Sequence, residues 1–389
     1  MGKYNFDEII NRHHTNCIKW DIEKDKDIIP LWVADMDFPV APKILKTVED
    51  RAKHGIFGYT LIDDNYFNSI TNWFKRRHNW NIEKEWIIYT TGVVPAISAT
   101  LKALTLPGEK VILQTPAYTC FFSSIHNQGL QIAENKLIRK NDTYVIDWED
   151  FEKKCADSKT SIFLLCNPHN PAGRVWTKEE LNKMNEICLR HGVKILSDEI
   201  HCELIIPGHK FIPFGSVNNK CQENSITFNS PTKNFNIAGL QIANIICSNS
   251  NLRKRIDRVI NIFEICDINS FGPLALETAY NDCEDWIDEL MLYISNNYKL
   301  LKNTINKELP NLDVLQLEGT YLVWVDISST GLTSDEIETK LLNEAKVHVN
   351  SGTMYGKDAG EGYIRINIAC PQKILREAIN RIVRVMKQK

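Results

Sequence analysis

The chain has 389 residues, of which 43% are hydrophobic and 24% are charged, so it is long enough for two or three structural units. Its net charge of -3 and pI near 6.4 provide no general attraction to nucleic acid or to an anionic membrane. Eleven scattered cysteines without a C-x-x-C pair indicate reduced thiols, and no signal segment or membrane span is recognisable. We therefore predict a cytoplasmic protein with no metal site and no nucleic-acid or membrane partner.

The N-terminal region is predicted to be mostly irregular. Residues 1–30 are polar, and the apolar run at 30–38 is interrupted by two aspartates. This run is either a strand end or a segment that crosses a site, since loops between buried elements often carry function. A helix is predicted at 42–53, followed by a glycine-punctuated loop that contains Tyr59.

Strands and helices then alternate. A second helix is predicted at 65–78, a third runs from about 92 to about 104, and a fourth opens at 115–118. A further helix is expected to start at Thr177, with Glu180 completing a capping box. The predicted strands lie at 86–89, 110–113, 161–166, 193–196, 225–228 and 240–247. This pattern predicts an α/β fold, with a mainly parallel sheet that helices cover on both faces.

The pattern changes to α+β near residue 284, which predicts a second, smaller domain. Its elements are a long helix at 286–309, strands at 312–317, 321–326 and 363–368, and helices at 334–345 and 371–386. We therefore predict an N-terminal arm that joins the small domain at 1–49, a large domain at 50–285 and a small C-terminal domain at 286–389.

Five residues follow predicted strands of the large domain: Gly92, Tyr118, Asn170, Asp198 and Lys233. Because ligands of parallel sheets gather at the carboxyl ends of the strands, we expect these residues around one cleft. Lys233 lies in a polar turn between two buried strands, where desolvation would lower its pKa and leave a neutral amine. Such an amine can form a Schiff base with an aldehyde, although an isolated lysine of this kind more often caps an exposed turn.

Nine motifs between residues 30 and 371 indicate a family. In chain order they are PLWVADMDF, FGYT, TTGVVPAI, PAY, CNPHNPAGRVW, SDEIH, NSPTKNFNIAGL, EGTYLVWVD and YIRINIACP. The chain resembles the fold-type I pyridoxal-phosphate enzymes of the aminotransferase class I/II superfamily. Within that superfamily it is most similar to the cystathionine β-lyases (C–S lyases) of the MalY/PatB type.

The resemblance implies pyridoxal 5'-phosphate as the cofactor and assigns three catalytic residues. Lys233 binds the cofactor's aldehyde and then removes the Cα proton of the substrate. Asp198 holds the protonated ring nitrogen, and Tyr118 lies over the ring. Alone, Asp198 would read as a helix cap and Tyr118 as a packed residue at a helix start.

The remaining site residues are implied in the same way. Asn170 donates to the phenolic oxygen of the cofactor, and Arg365 with Asn170 binds the substrate's α-carboxylate. The phosphate is held at a helix start by a set of small or hydroxyl-bearing residues, namely Gly92, Val93, Val94 and Ser230. Tyr59 reaches the phosphate of the neighbouring subunit, which implies a homodimer.

Two positions depart from the transaminase pattern. Gln241 stands where many aminotransferases have an arginine, and His201 stands where they usually have a tyrosine. Both substitutions look typical of the β-lyase branch. The expected activity is cleavage of cystathionine, cysteine or related S-conjugates to a thiol, pyruvate and ammonia. The alternatives are an aminotransferase on the same scaffold, or a lyase with an additional regulatory protein-binding role.

Overall fold

The structure is a computed structural model, and it describes residues 2–388. Within this range the chain forms fourteen α-helices and fifteen β-strands. The strands are β1 (Ile29–Pro30), β2 (Ile87–Thr90), β3 (Lys110–Thr115), β4 (Gln131–Lys136), β5 (Ile138–Lys140), β6 (Thr143–Val145), β7 (Thr160–Cys166), β8 (Lys194–Asp198), β9 (Ser225–Asn229), β10 (Ala243–Ile246), β11 (Asp313–Val314), β12 (Leu322–Asp326), β13 (Val347–His348), β14 (Asn350–Ser351) and β15 (Tyr363–Asn367). The helices are α1 (Ile18–Asp21), α2 (Pro42–His54), α3 (Asp64–His78), α4 (Val93–Leu104), α5 (Thr119–Asn127), α6 (Trp148–Cys155), α7 (Lys178–Arg190), α8 (Asn219–Asn224), α9 (Pro231–Asn234), α10 (Ser250–Ile262), α11 (Gly272–Asp282), α12 (Glu284–Glu308), α13 (Ser334–Lys340) and α14 (Gln372–Lys387).

A seven-stranded sheet forms the centre of the molecule. Its strand order is β2-β10-β9-β8-β7-β3-β4. Neighbours from β9 to β4 run parallel, whereas β10 is antiparallel to both β9 and β2. The prediction of a mainly parallel sheet is therefore confirmed.

Alternating side chains of the central strands pack against helices on opposite faces of this sheet. In β7, Ile162 and Leu164 belong to a core shared with α4, α5 and α10. The intervening Phe163 and Leu165 belong to a second core shared with α6 and α7. The period of two follows from strand geometry, and burial on both faces explains the continuous apolar run in the sequence.

Helix α7 shows how local sequence sets an element boundary. The backbone N–H of Glu180 donates to Thr177 Oγ1 at 3.2 Å, and the N–H of Thr177 donates to Glu180 Oε2 at 2.8 Å. This reciprocal pair satisfies two amide groups that a helix start would leave without acceptors. The predicted capping box is confirmed.

A smaller antiparallel sheet, in the order β11-β12-β15-β14, lies in the C-terminal part of the chain. Its apolar residues share a core with α12 and α14, and β1 pairs with β13, which ties the N-terminal arm to this part. Helices α2, α3 and α11 contribute to the same core, so packing alone does not draw a boundary. The predicted division at residues 49 and 285 stays a prediction.

Two predicted details are wrong. Lys233 lies in the short helix α9 rather than in a turn, because Ser230 caps that helix and Pro231 starts it. The predicted strand at 240–247 begins only at Ala243, since residues 238–240 form a 3₁₀ turn.

All eleven cysteines are free thiols. Within residues 2–388, no helix combines the length and the apolar character that crossing a membrane requires.

Candidate active site

A cavity of about 420 Å³ opens beside the carboxyl ends of the parallel strands. It is lined by Ala34, Thr91, Gly92, Val93, Val94, Pro95, Tyr118, Cys166, Asn170, Asp198, Ile200, His201, Lys233, Ala238 and Gln241. The five residues predicted to meet in one cleft are all among them. The cleft prediction is confirmed, because these residues lie at or just beyond the carboxyl ends of strands of the same sheet.

Lys233 presents its amine to this cavity from α9. Its Nζ donates a hydrogen bond to the carbonyl oxygen of Ala34 at 2.7 Å. Burial lowers the pKa of Lys233, and the nearby carboxylate of Asp35 only partly opposes that effect. The environment therefore favours the neutral, nucleophilic form of the amine more than water would.

Asp198 ends β8 with its carboxyl group facing the cavity. The side chain is only 5% exposed, and Oδ1 accepts one hydrogen bond, from the backbone N–H of Ile200 at 3.1 Å. Burial raises the pKa of Asp198 from its ordinary 3.8 to about 7. A buried carboxyl group with so few partners suits a cationic ligand, which would favour its ionised form.

The N-terminus of α4 forms one wall of the cavity. Gly92 caps this helix without a side chain, and the first intrahelical hydrogen bond runs from Ala96 N–H to the carbonyl oxygen of Gly92 at 3.0 Å. The amides of Val93 and Val94 precede that bond and therefore have no intrahelical acceptor. Together with the helix dipole they suit an anion at this wall.

Arg365 is buried next to the cavity without an anionic partner. Its side chain is 3% exposed, and no carboxylate within residues 2–388 lies at ion-pair distance. Nη1 donates to Asn170 Oδ1 at 3.2 Å, Nη2 donates to the carbonyl oxygen of Trp32 at 2.7 Å, and Nε has no partner. Because an unpaired buried charge is costly, this guanidinium group suits an anionic ligand.

Two further rings complete the lining. Burial raises the pKa of Tyr118, so its hydroxyl stays protonated at neutral pH. Burial, together with the positive charges of Lys233 and Arg365, lowers the pKa of His201 to about 3, so its imidazole is neutral. Nδ1 of His201 has no hydrogen-bond partner, and the ring packs edge-on against Tyr321 at 6.2 Å.

Ser230 is hydrogen-bonded within its own segment of the chain. Its hydroxyl donates to the carbonyl oxygen of Ile242 at 2.6 Å and accepts from the backbone N–H of Thr232 at 3.1 Å. It does not line the cavity. The proton of this hydroxyl is donated to Ile242 in the structure, and the expected contact between Ser230 and the phosphate stays a prediction.

Tyr59 also lies away from the cavity of its own chain. It is 99% exposed in the loop between α2 and α3, where Ile56, Phe57 and Leu61 are also exposed. Such a group of apolar side chains is typical of a surface that another protein covers. The position is compatible with the expected contact across a subunit interface, which stays a prediction.

Sequence reasoning missed one contributor to the site, the backbone carbonyl group of Ala34. The carbonyl oxygen of Ala34 accepts from Lys233 and also from the hydroxyl of Tyr321, at 3.1 Å. The available signal was the apolar run at 30–38 with its two aspartates, which the sequence predicts to be either a strand end or a segment that crosses a site. The second reading is confirmed, because Ala34 lines the cavity.

Comparisons with known proteins agree with this geometry. The family model for aminotransferase class I and II matches residues 26–382. The cystathionine β-lyase PatB of Bacillus subtilis is 38% identical, over 97% of this chain and 98% of its own. The crystal structure of cystalysin from Treponema denticola, which contains pyridoxal 5'-phosphate, superposes with a TM-score of 0.96 at 34% identity, over 99% of each chain. The pyridoxal-phosphate-bound C–S lyase from Staphylococcus hominis has a TM-score of 0.92 at 30% identity, over 99% of this chain and 100% of its own.

Proposed function

Since the chain belongs to the aminotransferase class I and II family, we propose that it is a pyridoxal-phosphate-dependent C–S β-lyase. It cleaves cystathionine, cysteine or a related S-conjugate to a thiol, pyruvate and ammonia. The observation that carries this proposal is one cavity that combines the amine of Lys233, the buried carboxyl of Asp198 and, beside it, the unpaired guanidinium of Arg365. The family and the α/β fold class expected from the sequence are confirmed.

The donor set of the cavity fits the cofactor group by group. Lys233 would bind the aldehyde. The carboxyl group of Asp198, which accepts only one hydrogen bond, would bind the protonated ring nitrogen. The Oδ1 atom of Asn170 already accepts from Arg365, so its amide nitrogen remains for the phenolic oxygen. The start of α4 at Gly92, Val93 and Val94 would take the phosphate. Tyr118 would lie against the ring.

When bound, pyridoxal phosphate supplies an electron sink for negative charge at the substrate's α-carbon. Lys233 then acts at its Nζ, which removes the Cα proton as the general base. The carbonyl oxygen of Ala34 holds this amine at 2.7 Å, and the hydroxyl of Tyr321 holds the same carbonyl, so the amine has a fixed position. Asp198 in its ionised form would keep the ring nitrogen protonated.

Arg365 binds the α-carboxylate of the substrate. Its fork is already oriented by Asn170 and by the carbonyl oxygen of Trp32, so little side-chain freedom is lost when the carboxylate arrives. The neutral imidazole of His201 adds no charge near the incoming anion.

We also propose a cytoplasmic homodimer in which each subunit lends Tyr59 to the other's phosphate site. The exposure of Tyr59, Ile56, Phe57 and Leu61 on one loop supports such an interface. The large domain at 50–285 and the small domain at 286–389 with the arm would enclose the site.

The test is product formation by the purified protein with pyridoxal phosphate and L-cystathionine, without any keto acid. Pyruvate and ammonia in equal amounts are expected. Lys233→Ala should bring turnover to background, whereas Lys178→Ala, which changes an exposed lysine on α7, should leave it unchanged. Amino transfer that begins only when a keto acid is supplied would instead establish the aminotransferase. A fully active Lys233→Ala variant would refute the assigned site.

A further inference from the structure

A segment without regular secondary structure crosses the cavity, and we call residues 32–36 the strap. Each of its five carbonyl oxygens accepts a hydrogen bond from a side chain elsewhere in the chain. The donors are Arg365 and Asn350 for Trp32, Asn367 for both Val33 and Asp35, Lys233 and Tyr321 for Ala34, Lys19 for Asp35, and Arg12 and Asn236 for Met36. The position of the strap is therefore set by side chains rather than by a strand ladder.

Two of these donors belong to a compact group of four charges, which we call the clamp: Arg12, Lys19, Asp35 and Asp37. Arg12 reaches Asp37 Oδ1 at 2.5 Å through Nη1 and Asp35 Oδ2 at 2.6 Å through Nη2. Lys19 Nζ lies 2.8 Å from Asp37 Oδ2 and 3.3 Å from Asp35 Oδ1. Both cations thus bridge both carboxylates.

The clamp is buried, and its charges balance. The side chain of Lys19 is 0% exposed and that of Asp37 is 7% exposed, whereas Arg12 and Asp35 reach the surface in part. Burial alone would lower the pKa of Lys19, but the two carboxylates outweigh it and raise the pKa. Because desolvation offsets most of the attraction, such a group adds little stability over apolar packing. The main effect of the clamp is on geometry, since it fixes Asp35 and Asp37 relative to Arg12 and Lys19.

The clamp is adjacent in sequence to the carbonyl groups that hold Lys233 and Arg365. Asp35 directly follows Ala34, whose carbonyl oxygen holds Lys233 Nζ at 2.7 Å. Trp32 lies two residues before Ala34, and its carbonyl oxygen orients Arg365 at 2.7 Å. A shift of the strap by about 1 Å would move both partners, and displacements of this size can cost about 100-fold in rate.

We propose that Arg12 and Lys19 are positioning residues, which hold the strap so that the carbonyl oxygen of Ala34 places the amine of Lys233 for proton transfer at the substrate's α-carbon. The inference rests on the proposed function, because it requires Lys233 to be the base. Neither Arg12 nor Lys19 lines the cavity. Their effect passes through Asp35 and the strap backbone.

The test measures proton transfer without C–S cleavage. L-Alanine has no leaving group, so its exchange of the Cα proton for deuterium in D₂O, followed by proton NMR on the holoenzyme, isolates the step assigned to Lys233. We expect Arg12→Gln to slow this exchange at saturating alanine by about 10- to 100-fold. The affinity for pyridoxal phosphate should change by less than about twofold, because Arg12 forms no hydrogen bond or ion pair with any residue assigned to the cofactor.

Arg77→Gln is the matched control. Arg77 has the same 21% side-chain exposure as Arg12 and also bridges several carboxylates, but it does not touch the strap. It should leave alanine exchange near the wild-type rate. Arg12→Lys, which keeps the charge but not the fork, should retain more exchange than Arg12→Gln. If Arg12→Gln fails to fold, Asp37→Asn weakens the same clamp, keeps the Asp35 carboxylate that acts on Lys233, and should give the same loss.

Two results would overturn the inference. One is unchanged alanine exchange in the clamp variants. The other is an equal loss of exchange and of cofactor affinity in Arg12→Gln and Arg77→Gln, which would show a general structural effect. Failure of the proposed function is distinguishable, because a wild-type protein that exchanges alanine but forms no pyruvate from cystathionine would refute the lyase and leave this inference intact.

Discussion

Asp198→Asn should stabilise the cofactor-free protein at alkaline pH and not at acid pH. The carboxyl group of Asp198 is buried and accepts one hydrogen bond, so burial raises its pKa from 3.8 to about 7. For a group whose pKa is raised in the folded state, the stabilising contribution is fully present below pH 3.8 and is lost as the pH rises through about 7. Asparagine keeps the shape and removes this dependence.

The magnitude follows from the linkage between proton binding and stability. Between pH 5 and the folded-state pKa of about 7, the contribution of Asp198 to the free energy of unfolding falls by about 1.4 kcal/mol per pH unit. The wild-type protein should therefore lose about 3 kcal/mol relative to Asp198→Asn between pH 5 and pH 8. Titrating groups that do not interact with Asp198 occur in both proteins and cancel in the difference, whereas Lys233 and Glu199 interact with Asp198 electrostatically.

The assay is denaturant unfolding of both cofactor-free proteins at pH 5 and pH 8, with Glu203→Gln as the control. Glu203 is equally buried, but His78, Arg77 and Trp73 outweigh the effect of burial and lower its pKa to about 2. Both pH values lie above the ordinary pKa of 4.5 and above the lowered pKa, so the Glu203 carboxylate is ionised at both, and Glu203→Gln should be less stable than wild type at both. A difference between wild type and Asp198→Asn that does not change with pH would refute the reasoning from burial.

Two other predictions concern ligand binding. Arg365→Lys keeps the charge but loses the fork that Asn170 and Trp32 orient, so the KM for cystathionine should rise by about 10- to 100-fold in steady-state kinetics; an unchanged KM would remove Arg365 from the carboxylate site. The Tyr59→Ala and Lys233→Ala variants should each have low lyase activity alone. Refolding the two chains together should restore activity, because in a mixed dimer one site combines the native Lys233 of one chain with the native Tyr59 of the other. No restoration would contradict shared sites.

Much of the fold could be read from the sequence, because the signals are local. Alternation along β7 follows from strand geometry and two-sided burial, and the capping box of Thr177 and Glu180 acts within one helical turn. The grouping of site residues was also predictable, since parallel strands bring their carboxyl ends to one edge. Less was foreseen of the segments at 131–155 and 250–282, which form β4–β6, α6, α10 and α11 without a motif to mark them.

The sequence by itself determined the α/β architecture, the family and five of the residues that meet at the cavity, namely Gly92, Tyr118, Asn170, Asp198 and Lys233. Only the tertiary structure decided what each of them contacts. Ser230 is used by its own helix, whereas Lys233 finds its acceptor at Ala34, 199 residues away along the chain. Arg365 is oriented by Trp32, 333 residues away, and the clamp ties Arg12 to the same strap. Hydrogen bonds of this kind depend on the packing of distant segments, and no local period or motif encodes which donor reaches which carbonyl oxygen.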